Sequence, residues 1–279
     1  MLRVAVPNKG MLAETANEML QEAGYRGRRD AKELNAIDPK NDVEFFYLRP
    51  RDIATYVGSG VLDVGITGRD LLLDAASPAI EIRSLDFGDS TFRFAGPAGA
   101  FADVHELEGK RVATSYTGLL ERWFAEHRID ATLVKLDGAV ESAIRLGVAD
   151  AVADVVSTGA TLRKAGLEVF GPVILESTAV LISTPAKEQA AKTLLGRLDG
   201  VLVARRYAII DYDIANEHLE EATKITPGFQ SPTVSPLREP GWSAVRSMVP
   251  TGDVNQLMDA LHDLGARAIF VTALQAARM

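Results

Sequence analysis

Residues 150–162 read DAVADVVSTGATL: an apolar run that ends on the carboxylate of Asp154 and then opens into small hydroxyl residues around a glycine. Asp154 falls at the carboxyl end of an expected parallel strand, the position at which open α/β sheets hold their ligands. Ser157, Thr158, Gly159, Ala160 and Thr161 are short enough for backbone N–H groups to approach a ligand closely. Their hydroxyls add donors, and a helix opening near Thr161 would present its positive end. Such a loop suits a phosphate dianion, while the neighbouring carboxylate can accept hydrogen bonds from two sugar hydroxyls. A ribose 5-phosphate combines both demands. An ordinary strand-to-helix turn capped by a serine or threonine accounts for the same residues equally well.

Three cations stand at other strand ends. Lys9 lies in the turn Pro7-Asn8-Lys9-Gly10 that follows LRVAV, and Arg49 and Arg51 flank Pro50 after VEFFYL. A guanidinium fork matches the geometry of phosphate oxygens. The histidines, His105, His127, His218 and His262, fall on expected helices or loops away from the strand ends.

The elements that must position these groups alternate through the first two-thirds of the chain. LRVAV, VEFFYL and DVGITG are strands, separated by helices at 11–23 and DIATYVGSG and followed by RDLLLDA. IEIRSLDFG and TFRFAG read as further strands. This βαβαβ rhythm predicts a parallel sheet with helices on both faces. The pattern restarts near residue 100 with RVATSY, GLLERWFAEH, ATLVKL, AVESAIRLG and DAVADVV. TAVLIST and a helix at 186–199 are expected to return to the first unit. Beyond residue 207 the order βαββαβ predicts a ferredoxin-like module. The expected domains are therefore lobe I (1–95 and 178–206), lobe II (96–177) and a C-terminal domain (207–279).

A chain of 279 residues with 47% hydrophobic and 24% charged residues has an ordinary globular composition. Its net charge of −8 argues against nucleic-acid or membrane-surface binding. The absence of cysteine excludes disulfides, thiolate zinc sites and cysteine nucleophiles. No N-terminal signal pattern is evident and no apolar run reaches the ~18 residues of a membrane helix, so a cytoplasmic location is expected.

The loop belongs to a longer pattern: Glu141, Gly147, Ala149, Asp150, Val152, Asp154, Thr158, Gly159, Thr161 and Leu162. With this spacing, residues 141–162 resemble the signature of the ATP phosphoribosyltransferase family. LRVAVPNKG, LRPRDIATYVGSGVLDVGITGRDLL and the two-lobed order resemble it too, and the C-terminal extension is similar to that of the long, histidine-regulated form. Common phosphoribosyltransferases place two adjacent acids before their phosphate loop, whereas Val155 follows Asp154 here, so their fold is not implied. What the resemblance implies is an α/β fold: a two-lobed, periplasmic-binding-protein-like catalytic body plus a C-terminal ferredoxin-like α+β regulatory domain. A solute-binding module or another nucleotide transferase would share parts of this pattern.

The implied reaction is attack of adenine N1 of ATP on the anomeric carbon of phosphoribosyl pyrophosphate, releasing pyrophosphate. Adenine N1 already carries its lone pair, so no general base is required. Magnesium carried by the pyrophosphate would neutralise the leaving group, and no residues are assigned as protein ligands to a metal. Lys9 and Asp154 are the expected catalytic residues. Glu141, Asp154, Ser157, Thr158, Gly159, Ala160, Thr161 and Leu162 would hold phosphoribosyl pyrophosphate. Lys9, Arg49, Arg51, Asp70, Leu71 and Tyr116 would hold ATP, with Asp70 and Leu71 at the adenine edge and face and Tyr116 stacking on the base. In the regulatory domain Asp213, Phe229, Ser231, Thr233, Met248 and Ala268 would contact inhibitory histidine. Phe229 stands where an aliphatic residue is expected. The family also implies a homo-oligomer, with dimers and hexamers in exchange.

Overall fold

The computed structural model describes residues 1–30 and 32–278. The chain divides into two compact units, residues 1–21 with 25–192 and residues 22–24 with 193–279.

In chain order the first unit contains β1 (Leu2–Pro7), α1 (Met11–Glu22), β2 (Asn35–Asp38), β3 (Val43–Leu48), α2 (Pro50–Gly58), β4 (Val64–Gly68), α3 (Arg69–Ala75) and β5 (Ile80–Ser84). There follow β6 (Ser90–Pro97), β7 (Arg111–Thr114), α4 (Thr117–His127), β8 (Thr132–Lys135), α5 (Ser142–Arg145), β9 (Ala151–Val156), α6 (Ala160–Lys164), β10 (Leu167–Ser177) and β11 (Ala179–Ser183). One sheet has the order β2-β3-β1-β4-β11-β5, the other β10-β6-β9-β7-β8.

Both sheets are mixed, not purely parallel. In the first, β1 runs parallel to β3 and β4, while β2 and β11 are antiparallel to their neighbours. In the second, β7 is parallel to β8 and β9, and β6 is antiparallel to β9 and β10. The parallel strands are short apolar runs buried by flanking helices, as in VGITG of β4, whose five residues are all buried. Pro50 opens α2 where its missing N–H costs nothing, and Asp52 sits in the same first turn. Leu119, Leu120, Trp123 and Phe124 give α4 its buried stripe, packed on Phe92 and Phe94 of β6.

The chain crosses between the sheets twice. Leu85 N–H donates to Ala179 carbonyl at 2.9 Å, and Ala179 N–H donates to Phe87 carbonyl at 2.8 Å. The Thr178 hydroxyl also donates to the Phe87 carbonyl, at 2.9 Å. Strand β6 starts at Ser90 and belongs wholly to the second sheet, so the change of sheet precedes Ser90, whereas the expected lobe boundary fell after residue 95.

The second unit contains α7 (Lys192–Arg206), β12 (Tyr207–Ala215), α8 (Leu219–Ile225), β13 (Thr233–Pro236), β14 (Trp242–Pro250), α9 (Val254–Asp263) and β15 (Arg267–Ala273). Helix α7 clusters almost entirely with this unit, although residues 186–199 read as lobe I in sequence. The antiparallel sheet has the order β13-β14-β12-β15, the ferredoxin-like arrangement of a βαββαβ chain. Ile210, Tyr212 and Ile214 alternate along β12 into a core with Val245, Val249 and Leu261. Among the described residues no helix is long and apolar enough to cross a membrane.

Candidate functional site

A cleft of about 300 Å³ lies between the two sheets of the first unit. Met11, Leu12, Pro50, Asp70 and Leu71 line it from the first sheet's side. Tyr116, Val155 and Ser157 line it from the second, and Ser177 and Thr178 come from a crossing segment.

One half of the cleft is a closed set of protein–protein bonds. Asp70 opens α3 and is only 7% exposed. Its N–H donates to Ser177 Oγ at 3.0 Å, and the Ser177 hydroxyl donates to Asp70 Oδ1 at 2.8 Å. The Tyr116 hydroxyl bonds to the same carboxylate. Burial, then the charge of Asp70, pushes the Tyr116 phenol far above its ordinary pKa, so it stays a donor. The Tyr116 ring meets Phe92 edge-on at 5.1 Å, and the Arg51 guanidinium lies 4.8 Å over its face. Arg51 also pairs with Asp74 Oδ2 at 2.6 Å. The face of Tyr116 under Arg51 is thus already covered, which limits base stacking to its other side.

The other half is open. Asp154 lies half-buried two residues before the end of β9, and its Oδ1 accepts Val155 N–H at 2.8 Å. Burial is the main reason its pKa is raised, and the charges of Glu141 and Asp70 add to it while Arg51 opposes it. Ser157, Thr158, Ala160 and Thr161 are exposed. Gly159 precedes α6 at φ +68, a left-handed conformation costly to a residue with a Cβ. Arg163 Nη2 holds the bend by donating to Thr158 carbonyl at 2.9 Å. Helix α6 begins at Ala160 and has only five residues. The Leu162 side chain is buried in an apolar cluster with Ala95, Val152 and Leu167, so only its backbone faces outward chemistry.

Lys9 and Arg49 are exposed beside the lining residues Met11 and Pro50. Glu141 immediately precedes α5 and acts on Asp154 through its charge. Asp150 instead forms an ion pair with Arg111 at 2.8 Å and accepts the Arg111 N–H, which drops its pKa to about 2. It anchors the strand start and lies outside the cleft lining.

Sequence reasoning missed Ser177, Asp74 and Arg93. Asp74 follows Asp70 by one helical turn, a spacing that places both on one face. Arg93 is the register partner of Asp154 across β6 and β9. Its Nη2 donates to Gly171 carbonyl at 2.9 Å, while its buried Nε has no partner among the described residues. Ser177 carried no local signal, since it sits on β10, a strand that only the tertiary pairing reveals.

In the second unit Phe229, Ser231, Thr233 and Met248 line one cavity of about 500 Å³ with Ile209, Arg246 and Arg278. Phe229 is 56% exposed and meets Tyr207 edge-on at 6.2 Å. Asp213 and Ala268 are not in that lining. Asp213 lies opposite Arg267 where the β12–β15 register shifts, and Ala268 takes φ +48 at this irregularity.

Two mixed α/β sheets joined by paired crossings, with Asp70 and Ser157 facing one cleft, define the periplasmic-binding-protein-like class of two-lobed proteins, here followed by a ferredoxin-like domain. The family described as ATP phosphoribosyltransferase matches residues 49–200, and the HisG C-terminal domain family matches residues 204–276. The ATP phosphoribosyltransferase of Arthrobacter sp. (strain FB24) is 62% identical over 286 residues, with 100% of both chains covered. That of Pseudarthrobacter chlorophenolicus is 62% identical over 284 residues, again covering 100% of each chain. The solved ATP phosphoribosyl transferase (HisG:HisZ) complex from Thermotoga maritima has a chain with 28% identity and a TM-score of 0.64, covering 72% of this chain and 98% of that one. The chain belongs to the ATP phosphoribosyltransferase family, in its long form with a C-terminal regulatory domain.

Proposed function

We propose that the cleft of the first unit condenses ATP with 5-phosphoribosyl 1-pyrophosphate, giving N1-(5-phosphoribosyl)-ATP and pyrophosphate, the first step of L-histidine biosynthesis. The observation that carries this reading is the convergence of Asp70, Tyr116 and Ser157 on one cleft, with Arg51 over the Tyr116 ring and Asp154 within reach of the Asp70 charge, in a chain matched along its length by the family. The exposed loop 157–162 receives the 5′-phosphate through its N–H groups and hydroxyls. Asp154, with Glu141 beside it, accepts the ribose hydroxyls, and its negative charge stabilises the oxocarbenium-like centre as the anomeric bond breaks. The half built on Asp70, Leu71 and Tyr116 holds adenine, whose N1 attacks with its own lone pair. Lys9 and Arg49, exposed at the rim, and Arg51 meet phosphate oxygens. Catalysis then rests on orientation and charge.

Asp154, under the charges of Glu141 and Asp70, offers hard oxygen donors. That chemistry fits magnesium as a hydrated ion brought in on diphosphate. When bound, it neutralises the leaving pyrophosphate.

The C-terminal cavity is assigned to histidine as feedback inhibitor, with Phe229, Ser231, Thr233 and Met248 at its wall. Asp213 and Ala268 contribute only where the ligand extends along the sheet. Inhibition needs two states with different histidine affinity, and exchange between dimers and hexamers supplies them. ATP and the sugar pyrophosphate are cytoplasmic metabolites, which supports a cytoplasmic location.

Mixing the protein with ATP, phosphoribosyl pyrophosphate and Mg²⁺ should produce the N1-adduct absorbance, and adding histidine should suppress it. No adduct from the wild-type protein would falsify the assignment. Phe229→Leu should strengthen histidine inhibition by roughly three- to ten-fold, the range of one reshaped apolar contact, and an unchanged dose–response curve removes Phe229 from the pocket.

A further inference from the structure

Asp74 belongs to none of the motifs above, yet its one carboxylate bonds to both lobes. Its side chain is 11% exposed at the end of α3. Oδ2 holds Arg51 at 2.6 Å, and Oδ1 accepts the N–H of Leu119 at 3.1 Å. Leu119 is the third residue of α4, which rises from the second sheet.

The N-terminus of α4 needs that acceptor. The residue at its N-cap is Tyr116, whose side chain makes no capping bond, and the first N–H groups of a helix have no partner within it. An Asp or Ser at the cap would ordinarily satisfy them. Here the carboxylate comes from the opposite lobe, so Tyr116 is spared for the cleft. The contact is close at backbone level as well. A Cβ on Gly118 would collide with the Asp74 carbonyl oxygen, and the Arg122 guanidinium donates to the Leu73 carbonyl. With its two oxygens Asp74 therefore fixes both partners of the Arg51–Tyr116 stack: the guanidinium directly, and the ring through the start of α4.

We infer that Asp74 is a positioning residue for the nucleotide half of the cleft, capping α4 across the lobes and setting the Arg51 guanidinium over Tyr116. It touches no reacting atom. The inference rests on the assignment of that half to ATP.

Two variants separate its tasks. Asp74→Asn keeps an oxygen for Leu119 N–H but removes the charge opposite Arg51, and Asp74→Ala removes both. The expected result for Asp74→Asn is a KM for ATP raised by roughly ten-fold, the loss of one charge-assisted bond. The KM for phosphoribosyl pyrophosphate and the thermal midpoint should stay near wild type. Asp74→Ala should raise the KM for ATP at least as far and also lower the thermal midpoint, through the lost cap. In an Arg51→Met background, Asp74→Asn should add little. Equal rises in both KM values, an unchanged KM for ATP in Asp74→Asn, or full additivity with Arg51→Met each overturn the inference. A wild-type protein that forms no N1-adduct would instead bring down the functional assignment, so the two failures are distinguishable.

Discussion

The two halves of the cleft are built on opposite principles. Around Asp70 the polar groups engage one another: serine, tyrosine, arginine and a second aspartate form a chain of contacts before any ligand arrives. Past Asp154 the chain runs exposed through Ser157, Thr158 and Thr161, and the Ala160 N–H is held by a long bond of 3.4 Å to Thr158 Oγ1. A base is a rigid, weakly charged plane that gains most from a preorganised slot. A phosphate dianion brings enough charge to order small flexible donors around itself. The difference teaches that rigidity is placed where the ligand cannot supply it.

Substitutions test that contrast, beginning with the largest effect. Asp154→Asn should lower kcat by roughly 10²–10³, the scale of one lost charge-stabilising group, measured as adduct formation. Its thermal midpoint should be equal or higher at neutral pH. Burial raises the Asp154 pKa in the folded chain, so relative stability is greatest with the group protonated, below the unfolded value, and is lost as pH climbs through the raised one. Activity should accordingly fall on the acid side at a pH above the ordinary aspartate range, and a wild-type profile without that limb removes Asp154 from catalysis.

Tyr116→Phe comes next. It strips a donor from buried Asp70 and should raise the KM for ATP by about five- to ten-fold, the range for one buried hydrogen bond. A larger effect on phosphoribosyl pyrophosphate would erase the distinction between the halves. Gly159→Ala should raise only the KM for phosphoribosyl pyrophosphate, by a few-fold, because a left-handed alanine costs about 1–2 kcal/mol and the loop can relax part of it. Asp150→Asn should do least. It leaves both KM values alone and lowers the thermal midpoint by roughly one to three degrees, small because the pair with Arg111 is solvent-screened. Depression of the Asp150 pKa to about 2 means that this contribution exists above the unfolded carboxylate range and disappears as pH falls towards that value.

The open half was the legible one. Its hydroxyls, glycine and carboxylate are contiguous in sequence, and the left-handed turn at Gly159 follows from the residue itself. The closed half was legible only in part. Asp70, Arg51 and Tyr116 were found one by one at strand ends, but their bonds to Ser177 and Asp74 join distant segments that no local pattern links. The elements divide in the same way. RDLLLDA and GLLERWFAEH announced α3 and α4 by their apolar stripes, whereas β2 and β10 escaped notice. Polar or exposed residues fill alternate or longer positions of both edge strands, so their identity depends on a neighbour rather than on composition. Helix α5 covers only Ser142–Arg145 of the helical run expected from AVESAIRLG, ending before Gly147 at φ +70.

The paired crossings also set an order on synthesis. Strand β5 hydrogen-bonds to β11 alone, and β11 is not translated until the whole of the second sheet has been made. The stretch Ile80–Ser84 must therefore wait, with both its edges unpaired, until residue 183 has left the ribosome. Segment 90–177 is an insert whose ends, Ser90 and Ser177, emerge as register partners. Pairing of those ends brings the two halves of the interrupted sheet together.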